Sequence, residues 1–200
     1  MTTLGFAAHY EAEQASRGSS IGIAYEFFRP ARPDSQGDIV VEISTQSLVL
    51  EVTPFGGESW MGNFQGGPEG LDGVFATPCA DTICVVVKGQ GYWVPVRDRT
   101  TFELIRSVPI KQVVRIPDRD VLIFVDYTRL AAYGPRGFLW LTEDLSWDGL
   151  EITDIGANVV RGTAWDSPAA SRVPFSVNVD SGKTEGGSSP AKYRVGRSAD

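Results

Sequence analysis

Residues able to move a proton, hold a metal or act as a nucleophile are few in this chain. There is one histidine, His9. A nucleophilic triad needs a base oriented by a third group, and a zinc site usually draws two or more ligands from His and Cys, so one histidine leaves little room for either. Cys79 and Cys84 stand five residues apart and match no redox or zinc spacing. Cys84 falls in the apolar run 83–87 and reads as a small buried hydrophobe. A disulfide between the two requires the segment to turn back on itself. The glycine-rich stretches Phe55-Gly56-Gly57 and Gln65-Gly66-Gly67-Pro68-Glu69-Gly70 lack the Lys-Ser/Thr ending of a phosphate-binding loop and read as turns. Ser146 and Ser167 lie outside any Gly-x-Ser-x-Gly elbow. The expectation is no catalytic residue, no metal site and no cofactor.

Carboxylates and tryptophans remain. Glu143, Asp144, Asp148, Glu151 and Asp154 fall in one stretch, with Asp166 and Asp180 near equivalent turns. A pair of such groups at the right separation hydrolyses a glycoside, whereas acids beside Gly and Asn in turns more often bond the local backbone. Five tryptophans are present, and Trp60, Trp147 and Trp165 each stand beside a polar or acidic turn. A tryptophan there offers a flat face to a sugar or a partner side chain. Trp93 and Trp140 read as core. The nominated binding residues are therefore Trp147, Asp148, Trp165 and Asp166.

The elements that must position them are strands. Gly and Pro are spread through the chain between short apolar runs, which predicts many turns and many short strands. Residues 1–20 are polar or small and read as a loosely held arm, with room for one helical turn near Tyr10. Residues 21–28 read as a strand stopped by Pro30 and Pro33. Residues 38–44 and 47–53 read as a hairpin joined by Thr45-Gln46, and 59–65 as a further short strand. From Val74 onward the chain repeats itself. Pro78 and Pro117, and likewise Asp81 and Asp120, stand the same 39 residues apart. The apolar run 83–87 then falls on 122–126. A weaker third copy places Val159 under Val121. Each copy of about forty residues reads as four strands, with repeats at 74–112, 113–150 and 151–187 and a flexible tail at 188–200.

Residues 74–186 resemble the blade repeats of bacterial quinoprotein-like β-propellers, especially through Tyr133-Gly134-Pro135-Arg136-Gly137-Phe138-Leu139-Trp140, where a Gly followed three residues later by Trp closes a blade. The turn Ser146-Trp147-Asp148-Gly149 is similar to one in uncharacterised bacterial proteins. The resemblance implies a fold and no activity. The expected class is all-β: antiparallel four-stranded meander repeats in a propeller-like or sandwich-like single domain spanning 21–187. Two or three blades do not close a ring. The N-terminal strands supply a fourth, irregular blade, or sheets pack face to face, or a homo-dimer completes the structure.

A formal charge of −7 speaks against a nucleic-acid partner, and acids interrupt the basic residues between Arg97 and Arg119. Residues 1–15 lack the basic start and apolar core of a signal peptide, and no apolar run reaches membrane-spanning length, so no membrane partner and a cytoplasmic location are expected. The functional expectation is a non-enzymatic protein-interaction module, regulatory or masking a basic partner surface in the manner of an immunity protein. The alternatives are a carbohydrate-binding or carboxylate-dependent glycoside-acting protein, and an assembly subunit completed by self-association.

Overall fold

A computed structural model of the chain describes residues 4–15, 25–33, 36, 39–41 and 44–191. The fold is all-β. Four sheets of four strands each follow one another along the chain, and a short two-stranded ladder, β3 (Ala31–Pro33) with β4 (Ile39–Val41), is added. The chain divides into two compact units, Met1–Ile110 and Lys111–Asp200. No helix among the described residues is long and apolar enough to cross a membrane.

Three sheets are meanders, each strand pairing antiparallel with the next. They are β7 (Gly73–Ala76), β8 (Thr82–Val87), β9 (Gln90–Pro95) and β10 (Glu103–Leu104); β11 (Gln112–Arg115), β12 (Leu122–Val125), β13 (Leu130–Gly134) and β14 (Gly137–Leu141); and β15 (Leu150–Ile155), β16 (Val159–Asp166), β17 (Ser171–Asn178) and β18 (Thr184–Gly186). The offset of 39 residues carries β7 onto β11 and β8 onto β12, so the repeat in the sequence is a repeat in the fold. The fourth strands drift from that offset because a 3-10 turn, Arg99–Thr101, lengthens the β9–β10 connection.

The turn between second and third strands differs in each copy. Val87 pairs with Gln90 across the two-residue loop Lys88-Gly89, where both residues have positive φ, 45° and 76°. That is the backbone of a type I′ hairpin, whose twist matches the strands it joins. In the second copy the carboxylate of Asp126 accepts from the N–H groups of Thr128 and Arg129 at 2.7 Å each, an Asx turn.

The first sheet is assembled differently. Its order is β1 (Tyr10–Gln14), β5 (Ser47–Pro54), β6 (Trp60–Gln65), β2 (Tyr25–Phe28), and β2 lies parallel to β6. Two expectations are corrected here. Residues 10–14 are a paired strand, with Tyr10 only 2% exposed and its hydroxyl donating to Thr82 O at 3.2 Å. The alternation of Tyr10 and Ala12 against Glu11 and Glu13 is the strand pattern that the arm reading passed over. The 47–54 strand, β5, pairs with β1 and β6 rather than with the segment before it, and Ile39–Val41 pairs with Ala31–Pro33 instead. Alternation marks a strand but does not choose its partner. Residues 1–3 and 16–20 of the expected arm lie outside the described residues.

Each unit has its own core between two sheets. In unit 1, Tyr10, Leu50, Val52, Trp60 and Phe64 meet Ile83, Val85, Tyr92 and Val94. In unit 2, Ile123, Val125, Leu130, Ala132 and Trp140 meet Val160, Ala164, Phe175 and Val177. Burying one such aliphatic or aromatic side chain contributes about 1.5–3 kcal/mol. The expected flexible tail is held at its start. Gly187 and Ser188 donate backbone N–H groups to Pro174 O and Leu145 O at 2.9 and 2.8 Å, and Ser189 is buried. Residues 192–200 lie outside the described residues.

Candidate functional site

The four nominated residues gather around one turn in unit 2. Ser146 is fully buried at the centre of it. Its hydroxyl donates to Gly149 O at 2.9 Å and accepts the N–H of Trp165 at 2.9 Å. Trp147 N–H donates to Trp165 O at 3.1 Å. The main chain of Ser146-Trp147-Asp148-Gly149 is thereby sealed onto the end of β16, which places Trp147 and Trp165 side by side through their backbones. Their side chains have different surroundings. The Trp147 indole is half-buried and donates to Ser188 Oγ at 3.2 Å. Trp165 is also half-buried, opposite Arg172 in the strand register. Asp148 is exposed. Asp166 is half-buried, and its Oδ1 has no hydrogen-bond partner among the described residues.

Most of the remaining acids of this region hold local partners. Asp144 pairs with Arg129 at 3.5 Å, Glu151 with Arg172 at 3.6 Å, Asp154 with Arg161 at 2.9 Å and Asp180 with Arg119 at 3.5 Å. Glu143 accepts from Thr184 Oγ1 at 2.8 Å. Asp154 and Arg161 face each other on adjacent strands, Glu151 and Arg172 reach across β16, and the other pairs tie loops to one another or to a neighbouring strand. His9 is likewise tied down in unit 1, with its Nδ1 3.4 Å from Asp81 and its N–H donating to Ala80 O at 2.8 Å. Cys79 and Cys84 are both free thiols, and full burial pushes that of Cys84 well above its usual range. Among the described residues no group of three or more His, Cys, Asp or Glu is placed to hold a metal ion.

A second site, which the sequence did not point to, lies in unit 1. Tyr25, Glu26, Glu51, Ser59, Trp60, Met61 and Arg99 line a cleft of about 450 Å³, within the usual range for a ligand pocket. The residues come from β2, β5, β6, the connection between β5 and β6, and the 3-10 turn after β9. Glu51, Met61 and Tyr25 stand in one row across the sheet. Along β2, alternation places Tyr25 and Phe27 on one face and Glu26 and Phe28 on the other.

One wall is fixed by a set of mutually bonded groups. Arg99 Nε donates to Glu26 Oε1 at 2.5 Å, and the guanidinium carbon sits 5.1 Å from the centre of the Trp60 ring. The hydrogen bond to Glu26 holds the Arg99 guanidinium above its already high range, and the burial that opposes it is the smaller effect. Trp60 in turn donates its indole N–H to Val96 O at 3.1 Å, joining the two sheets of the unit. Ser59 and Thr53 share a hydroxyl hydrogen bond of 2.8 Å at the mouth. The cleft depends on residues from sequence regions as distant as Tyr25 and Arg99, which the pairing of β2 with β6 and the packing of this sheet against the next bring together. No local spacing marks it.

No family model, no curated protein and no solved structure matches the chain.

Proposed function

We propose that this chain is a non-enzymatic protein-interaction module whose contact site is the cleft at the β2–β6 edge of unit 1. The observation that carries this reading is the meeting of Tyr25, Trp60 and Arg99 in one cleft. Tyr, Trp and Arg are the residue types most enriched at binding hot spots, because they combine large contact area with directed polar groups. Here two of them are already immobilised. The Glu26–Arg99–Trp60 stack fixes a wall before any partner arrives, and pre-ordered side chains lower the entropy cost of association. Binding is favoured over glycoside hydrolysis in this cleft because one of its two carboxylates, Glu26, is bonded to Arg99, which leaves Glu51 without a second acid to work with.

Selection from a displayed library of random peptides tests the reading. Peptides retained by the wild-type chain lose retention on Ser59→Trp, which fills the mouth of the cleft from an exposed position. Circular dichroism confirms that the variant folds. Peptides retained equally by both proteins overturn the assignment of the cleft.

A further inference from the structure

We infer that the cleft receives a lysine or arginine side chain of the protein partner; this rests on the reading of the cleft as a contact site. The argument is one of charge left over after internal pairing. Three charged side chains line the cavity: Glu26, Glu51 and Arg99. Arg99 is spent on Glu26, with which it forms both a hydrogen bond and an ion pair. Glu51 pairs with no cation among the described residues. The cavity therefore carries one uncompensated negative charge.

The neighbouring strand increases it. Glu13 stands directly opposite Glu51 in the β1–β5 register, and Glu11 stands opposite Thr53 on the same face, two residues along. Like charges directly opposite one another weaken a strand pair. A cation arriving from outside relieves that repulsion while neutralising the cleft, so the same residues that strain the ladder attract the ligand. The chain's net charge of −7 draws a basic partner in from a distance.

The lining also matches the stem of a long cationic side chain. Met61 stands beside Glu51 in its row across the sheet, with Tyr25 beyond it. An aliphatic stem lies along such surface with its charged end at the carboxylate. An anionic ligand would face Glu51 with Arg99 already engaged, and a wholly apolar one would bury Glu51 without a partner.

The test uses three end-blocked probes of one length: oligolysine, the same peptide acetylated on every Nζ, and oligoglutamate. Each is titrated calorimetrically into the full chain, Glu51→Gln, Ser59→Trp and Glu103→Gln, the last an exposed acid outside the cleft. Oligolysine is expected to bind the wild type and Glu103→Gln equally. Its affinity should drop about fivefold in Glu51→Gln, the scale of one partly exposed ion pair. Acetylation or Ser59→Trp should abolish binding. If oligolysine fails to bind, or loses as much affinity in Glu103→Gln as in Glu51→Gln, the cationic occupant is wrong. The contact-site reading survives that result provided library peptides remain sensitive to Ser59→Trp. If Ser59→Trp affects neither the library peptides nor oligolysine, both fail.

Discussion

Unit 2 packs two meanders that follow each other in the chain, whereas unit 1 packs one meander against a sheet collected from distant strands. The way the sheets are joined is shared. In unit 1 the Trp60 indole N–H reaches across to Val96 O at 3.1 Å, just past β9. In unit 2 that of Trp140 reaches Val179 O at 2.8 Å, just past β17. A buried indole satisfies its one donor only if a carbonyl is in place, so each bond also fixes the distance between its two sheets. The difference lies in what the sheets leave over. Regular meanders spend their charged residues on one another, as Arg161 with Asp154 and Arg172 with Glu151 show. The irregular sheet, with its parallel edge strand, leaves a cleft and a carboxylate that no described cation engages. Both units supply a packed core, and the part that breaks the repeat adds a cleft whose lining includes a carboxylate unpaired among the described residues.

The largest expected effect contrasts two glycines that lie beneath aromatic rings. A Cβ at Gly162, in β16, would come within 2.3 Å of the backbone oxygen of Glu151 and 2.6 Å of the Phe175 ring. A Cβ at Gly62, in β6, would first meet the rings of Phe64 and Trp60, at 2.7 and 2.8 Å. Backbone within a ladder cannot yield as a ring can. Gly162→Ala should therefore cost about 3 kcal/mol and Gly62→Ala about 1–2 kcal/mol in urea unfolding. Equal losses would mean that the irregular sheet is packed as rigidly as the regular one.

Alkaline pH should weaken unit 1. Burial above all, and then Cys84 and Cys79 nearby, push the Tyr10 phenol far above its usual range, and burial does the same to Cys84. Both groups are neutral when protonated, and the unfolded chain releases these protons at lower pH than the folded one. Their stability contribution is thus complete below the unfolded values, about pH 8.5 for Cys and about 10 for Tyr, and declines as pH rises above them. The expected slope is about 1.4 kcal/mol per pH unit for each group. Urea melts between pH 8 and 11 measure it, and Tyr10→Phe should flatten the upper part of the curve. An unchanged curve in that variant would show that the β1–β8 contact does not bury Tyr10 as described.

The smallest effect compares two positions of the repeat. Asp81 and Asp120 occupy equivalent turns, but Asp81 lies 3.4 Å from His9 and 3.9 Å from Arg97, while Asp120 is exposed. Asp81→Ala should cost about 0.5 kcal/mol, as exposed ion pairs do, and Asp120→Ala should leave thermal unfolding unchanged. The equivalence that the sequence suggested is one of strand register rather than of side-chain bonding.

The meanders were readable because their strands pair with neighbours along the chain. Pro78 with Pro117 and the apolar runs 83–87 and 122–126 mark positions that the fold keeps in register. The first sheet resisted reading for the opposite reason. Its strands look ordinary one by one, but β1 pairs with β5 and β2 with β6, and no residue type announces partners at that separation. The cleft went unseen with them. For the Ser146-Trp147-Asp148-Gly149 turn, the nomination located a structured feature. The Ser146 hydroxyl that holds the turn bonds the backbone of Gly149 and Trp165, so residue type names the donor but not its partners.

The pairing of β1 with β5 and of β2 with β6 has a consequence for how the chain is made. During synthesis a meander can zip up as each strand follows the last, since every contact is with chain just produced. Tyr10–Gln14 and Tyr25–Phe28 must instead wait until Gln65 has cleared the ribosome before their sheet can close. These two strands therefore wait longer between synthesis and pairing than any meander strand does, and for that interval their edges stand open to other molecules.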